Sequence, residues 1–113
     1  MRLELPYPPT ANLYWRIFRG HAVKSKDARQ YQETAKLMAK AQALGAQPFK
    51  GDVRVEVHLR RPAKRGDLDN SLKVLLDALK GIAFEDDKQV VEIHAYRMDD
   101  KANPGVSVRI QES

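Results

Sequence analysis

The sequence predicts an α+β fold: a mixed β-sheet covered by two helices, forming a single domain over residues 1–113. Three observations carry this. Val53, Val55, Val57 and Leu59 alternate with Arg54, Glu56, His58 and Arg60, the period-two pattern of a strand with one buried side. Two longer stretches, one starting at Ser25 and one at Asp69 or Asn70, repeat their apolar residues at spacings of three and four, as a helix does. The order strand, ribbon, helix, strand, helix, strand, strand suits helices laid on a sheet.

Taken in order, Arg2 to Pro6 reads as a short strand. The following Pro6-Tyr7-Pro8-Pro9-Thr10-Ala11-Asn12 cannot extend a ladder, because its prolines lack amide donors. Leu13 to Arg19 is aromatic and basic, and Gly20 turns the chain into His21-Ala22-Val23-Lys24, which predicts a two-stranded ribbon. The ribbon reads either as a packed hairpin or as a DNA-facing element. In the second reading Asn12, Arg16, Arg19 and Lys24 contact phosphates while an aromatic ring stacks or wedges.

Ser25 is a good N-cap, Asp27 complements the positive end of the helix dipole, and Gly45 closes the first helix after Leu44. Ala28, Tyr31, Ala35, Met38, Ala39 and Gln42 share its core face; Lys26, Arg29, Lys36 and Lys40 decorate the solvated remainder. In the strand from Val53, His58 falls on the wet side and reads as an exposed side chain, not a ligand. Arg61-Pro62-Ala63-Lys64-Arg65-Gly66 then breaks the strand as a basic loop.

The second helix has an apolar stripe of Leu68, Leu72, Leu75, Leu76 and Leu79, and a polar one of Asp69, Lys73, Asp77 and Lys80. Its third stripe, Ser71, Val74, Ala78 and Gly81, is small enough to admit another element or another copy of the chain. Val91, Ile93 and Ala95 alternate with polar neighbours, and Val106, Val108 and Ile110 repeat the pattern after a turn rich in Asp, Asn, Pro and Gly, which predicts a terminal antiparallel hairpin.

Composition narrows the function. The chain is 42% hydrophobic and 31% charged, and no run approaches the length needed to cross a bilayer. The start alternates like a strand and not like a signal peptide, so a cytoplasmic location is expected. The absence of cysteine excludes disulfides, thiolate zinc sites and cysteine nucleophiles, leaving oxygen or histidine to hold any metal. A net charge of +5 favours anionic partners, of which nucleic acid is the commonest large one.

Against that basic background the acidic residues stand out. Asp67 and Asp69 lie where a loop turns into the second helix, and Asp86 and Asp87 follow that helix. Carboxylates separated by one residue, joined by a third, can hold a hard divalent cation such as Mg²⁺ through oxygen ligands. Arg60, Arg61, Lys64 and Arg65 just before them could hold a phosphate backbone, and the combination suggests phosphodiester hydrolysis. Twelve helical residues span about 18 Å. Six extended residues cover about 20 Å, so the segment from Ile82 could return Asp87 beside Asp67 and Asp69 in one subunit. Completion by a second subunit is the alternative. Asp99 and Asp100 read as solvated turn residues.

Gly66-Asp67-Leu68-Asp69-Asn70, Lys73 and Phe84-Glu85-Asp86-Asp87-Lys88-Gln89-Val90-Val91 resemble the RusA family of Holliday-junction endonucleases, as does Pro6-Tyr7-Pro8-Pro9-Thr10-Ala11-Asn12. The resemblance implies a homodimeric, Mg²⁺-dependent enzyme, with Mn²⁺ as the alternative cation, that resolves four-way junction DNA by paired nicks in opposing strands. It carries catalytic roles to Asp67, Asp69, Asp87 and Lys73, with Asp86 as a further metal ligand and Asn70, Arg61, Lys64 and Arg65 on the DNA side. Two other classes stay open on the residues alone: a non-catalytic nucleic-acid-binding module, and a scaffold whose charge is incidental.

Overall fold

The structure is a computed structural model and describes residues 1–8, 15–18, 21–24, 26–62 and 68–113, with 15–18, 21–24, 27–28 and 68–71 described by their backbone. The elements are β1 (Arg2–Leu5), β2 (Trp15–Phe18), β3 (His21–Lys24), α1 (Lys26–Ala43), β4 (Val53–Arg61), α2 (Leu68–Leu79), β5 (Val90–Asp99) and β6 (Gly105–Glu112). A single 3₁₀ turn, Asp87–Gln89, leads into β5. β2 and β3 pair antiparallel as the expected ribbon.

The main sheet has the order β1-β6-β4-β5. β6 is antiparallel to both neighbours, whereas β4 and β5 run parallel. The expected terminal hairpin is therefore not formed: β4 lies between β5 and β6. The reason is on β4, whose buried Val53, Val55, Val57 and Leu59 need cover along both edges. Val57 stands opposite Val108 on one side and Ala95 on the other. Alternation marked β5 and β6 as strands but says nothing about which strand each pairs with. Parallel pairing requires a crossover, and α2 supplies it.

Register sorts the side chains by face. Leu3 and Leu5, the four apolar residues of β4, and Val106, Val108 and Ile110 are all buried beneath the helices. From α1 come Tyr31, Ala35 and Ala39, and from α2 Val74, Leu75, Ala78 and Leu79. Small residues on both helices let them approach each other and the sheet. The Val74 and Ala78 stripe thus serves the chain's own packing and is closed to another copy. Met38, expected in the core, is 39% exposed, while Gln32 is buried in its place.

Gln42, on the same helix, does something its position in the apolar stripe did not suggest. Its amide nitrogen donates to the Glu4 carbonyl at 2.7 Å and its amide oxygen accepts from the Glu4 N–H at 2.6 Å, imitating a neighbouring strand along β1. Among the described residues the opposite edge has no such cover, and Val91, Ile93, Tyr96 and Met98 of β5 are all exposed. On the open face of the sheet His58 stacks on Tyr96 with ring centroids 4.9 Å apart.

Arg60 ties the open face together. Its guanidinium donates to Ser107 Oγ at 2.6 Å, to a Glu4 carboxylate oxygen at 3.0 Å and to the Asn103 carbonyl at 3.0 Å, and Ser107 donates in turn to Glu4. This places Gly105 in a tight spot. Its φ is +151°, and a Cβ there would sit 2.8 Å from an Arg60 nitrogen and 3.2 Å from the Leu5 carbonyl oxygen. Gly105→Ala should lower stability by about 1–3 kcal/mol, read as a reduced urea midpoint at unchanged slope. Phe84 is fully buried at the far end of α2. Its replacement by Ala should cost about 3–5 kcal/mol in the same measurement.

Candidate functional site

The acidic residues divide between the two ends of α2. Asp69 and Asn70 lie in its first turn, and Lys73 is exposed one turn further on. Asp67 immediately precedes the helix in sequence and lies outside the described residues, as do Asn12, Arg19, Lys64 and Arg65. Arg16 and Lys24 lie on the ribbon strands β2 and β3.

Asp86 and Asp87 belong to the other end. After Leu79 the chain makes a tight turn in which the Ile82 and Ala83 N–H groups donate to the Leu79 carbonyl at 3.0 Å and the Gly81 N–H donates to the Phe84 carbonyl at 2.7 Å. Gly81, at φ +88°, supplies the left-handed residue that this turn requires. Ala83 and Phe84 are buried there against the end of the helix, so the segment is compact where an extended return was expected. Asp87 then stands beside Lys80, 4.0 Å from its ammonium, and leads into β5, whose first residue Val90 pairs with Val53 at the start of β4. Ten residues of α2 separate Asp69 from Leu79, about 15 Å along the axis. Asp69 thus lies at the start of the helix, and Asp87 follows the turn at its end. Among the described residues no three acidic or histidine side chains gather closely enough to hold a metal ion.

The Asp86–Asp87 loop is built with care. Asp86 caps the 3₁₀ turn, its carboxylate accepting from the Lys88 N–H at 3.0 Å. Gln89 completes the capping box: its amide oxygen accepts from the Glu85 and Asp86 N–H groups at 2.8 and 2.9 Å. Its amide nitrogen donates to the carbonyls of Phe49 and Gly51 at 2.7 and 2.8 Å. One side chain thus fixes both the loop and the strand entry beside it. The Asp-x-x-Gln spacing before an apolar run was the available signal for this role; the reading of the acidic residues passed over it.

Electrostatics fit a cation. The Lys88 N–H holds the Asp86 carboxyl below the ordinary aspartate value, helped by the side chain of Asp87 beside it and by the charges of Lys80 and Lys88. Two carboxylates this close repel when both are ionised, and a hard divalent ion relieves that repulsion. Asp87 is also about half exposed and so can be reached. Arg61 is differently placed. Its guanidinium is only 12% exposed and bonds Asp99 at 2.7–2.8 Å, while the Asp100 N–H donates to the Arg61 carbonyl. These contacts tie the ends of β4 and β5 together, so Asp99, though exposed as expected, closes a strand and pairs with Arg61. Arg60 is likewise engaged by Glu4 and Ser107.

Residues 6–111 match the family model described as Endodeoxyribonuclease RusA. The chain is 35% identical over 100 residues to the crossover junction endodeoxyribonuclease of Enterobacteria phage 82, covering 85% of this chain and 81% of that protein. The same identity and coverage hold for the crossover junction endodeoxyribonucleases of Escherichia coli strain K12 and Shigella sonnei strain Ss046. With a family match across nearly its whole length and relatives of this similarity, the chain belongs to the RusA endodeoxyribonuclease family.

Proposed function

We propose that this protein is a structure-specific endonuclease of the cytoplasm that resolves four-way junction DNA by paired, metal-dependent nicks, acting as a homodimer. The observation that carries the reading is the 35% identity, over 85% of the chain, to proteins named crossover junction endodeoxyribonucleases. No helix among the described residues is long and apolar enough to cross a membrane.

Asp67, Asp69 and Asp87, with Asp86 as a further ligand, offer the hard oxygen donors that suit Mg²⁺ or Mn²⁺. Such an ion supplies an activated water and charge stabilisation at a scissile phosphate. The chain's own residues do the rest. Lys73, exposed one turn from Asp69, stabilises negative charge developing on the phosphate. Arg16, Arg19, Lys24, Lys64 and Arg65, with Asn12 and Asn70, hold the backbone of the arms, recognising shape more than sequence. Gln89 keeps Asp86 and Asp87 in place.

The length of α2 supports a site shared between copies. Carboxylate oxygens that bind one Mg²⁺ lie within about 4 Å of each other, and aspartate side chains cannot close a gap of about 15 Å. In this reading Asp67 and Asp69 come from one protomer and Asp87 from its partner. A two-fold dimer then carries two composite sites, matching the two-fold symmetry of the junction it cuts.

Incubation of an end-labelled junction with protein and Mg²⁺ should give symmetric nicks; intact junction at every protein and metal concentration would retire the proposal. Asp69→Asn or Asp87→Asn should lower the cleavage rate by more than the roughly 100-fold that loss of an outer-shell partner costs, with junction binding retained. Coexpressed Asp69→Asn and Asp87→Asn chains should recover single-strand nicking, because one of the two sites in the mixed dimer keeps both aspartates; no recovery would place the full set within one chain. Gln89→Ala should raise the Mg²⁺ concentration needed for half-maximal cutting by about 10–100-fold while leaving affinity for the junction in Ca²⁺ unchanged.

A further inference from the structure

A groove of about 490 Å³ lies where the C-terminal half of α1 meets the turn after α2, and it is lined by Lys36, Lys40 and Lys80 together with Leu37, Gln47 and Pro48. No carboxylate lines it. The Lys36 ammonium reaches the Lys80 carbonyl at 3.5 Å, which places it over the end of α2. The neighbouring Leu76 carbonyl accepts from the Lys80 N–H, and the Leu79 carbonyl from Ile82 and Ala83. Lys36 and Lys40 are one helical turn apart, about 6 Å, on one side of the groove. Lys80 forms the other side, and its ammonium is also 4.0 Å from Asp87. Lys80 thus touches both the groove and the acidic loop. Leu37, 71% exposed on the wall, offers an apolar surface of the kind a deoxyribose can lie against.

We infer that this groove is a second phosphate-binding track, taking the backbone of the DNA arm that leaves the Asp87 side of the site, with Lys36 and Lys40 as the contacting charges. The inference rests on the endonuclease reading above and adds to it a surface built from residues other than those of the ribbon and the basic loop. The charge pattern selects the occupant: a file of ammonium groups without acidic neighbours in the lining suits a continuous polyanion. Lysines, as point charges on flexible stems, suit a backbone followed without regard to base sequence.

The test uses the full chain and a synthetic four-way junction in Ca²⁺, with affinity measured between 50 and 200 mM salt. Each phosphate contact contributes about 0.9 to the slope of log affinity against log salt. Lys36→Gln/Lys40→Gln should therefore flatten the slope by about 1.8, so that the variant loses about tenfold less affinity than the parent across that range. The charge-preserving Lys36→Arg/Lys40→Arg should keep the parental slope, and Lys101→Gln, on the turn before β6, should leave it unchanged. An unchanged slope in the Gln pair, with the parent binding and cutting the junction, would overturn the track while leaving the endonuclease intact. A parent chain that neither binds nor cuts the junction would remove both. A slope that flattens equally in the Gln and Arg pairs would mark a packing effect and also overturn it.

Discussion

Parallel pairing of β4 with β5 is the constraint on which the rest of the molecule depends. Two parallel neighbours cannot be joined by a turn, so the chain must travel back along the sheet, and α2 is that return path. Everything near the start of α2 then belongs to one end of the sheet, and everything just before β5 to the other. The acidic residues fall on both sides of this division. That division follows from the topology of the sheet.

Each end is held by different physics. Where β4 and β5 finish, Arg61 and Asp99 form a largely enclosed ion pair, and Arg60 bonds Glu4, Ser107 and Asn103. These are charge-assisted hydrogen bonds, and they link four strands and a loop. At the beginning of the two strands the connection is neutral and local: a buried Phe84, a glycine turn and the four hydrogen bonds of Gln89. A neutral amide suits that position, because a charged clamp there would compete with whatever cation the adjacent carboxylates attract.

Much of this was legible in the sequence, and the reasons differ by element. The strand from Val53 and the helix carrying Leu75 and Leu79 announce themselves because burial is one-sided and the period is clean. Strand partnership did not, since alternation is a property of a single strand while pairing depends on the whole sheet. Met38 lay on the right face by spacing yet emerges into solvent, because α1 covers the sheet along its Tyr31, Ala35 and Ala39 line. Among the candidate site residues, Asp86 and Asp87 were visible as acids in a basic chain. The amide that organises them was not, because glutamine carries no charge to draw attention. Contour length gives the farthest the segment from Ile82 could reach, whereas the turn at Gly81 and the burial of Phe84 make that segment compact.

The two margins of the main sheet are chemically unlike. Gln42 acts as a one-residue counterfeit strand along β1, occupying the amide and carbonyl of Glu4 that an incoming chain would need. Along β5 the described residues leave the hydrogen-bonding rim open and surround it with Val91, Ile93, Tyr96 and Met98. A strand arriving at β1 would have to displace Gln42 from Glu4, whereas among the described residues no such clasp stands along β5.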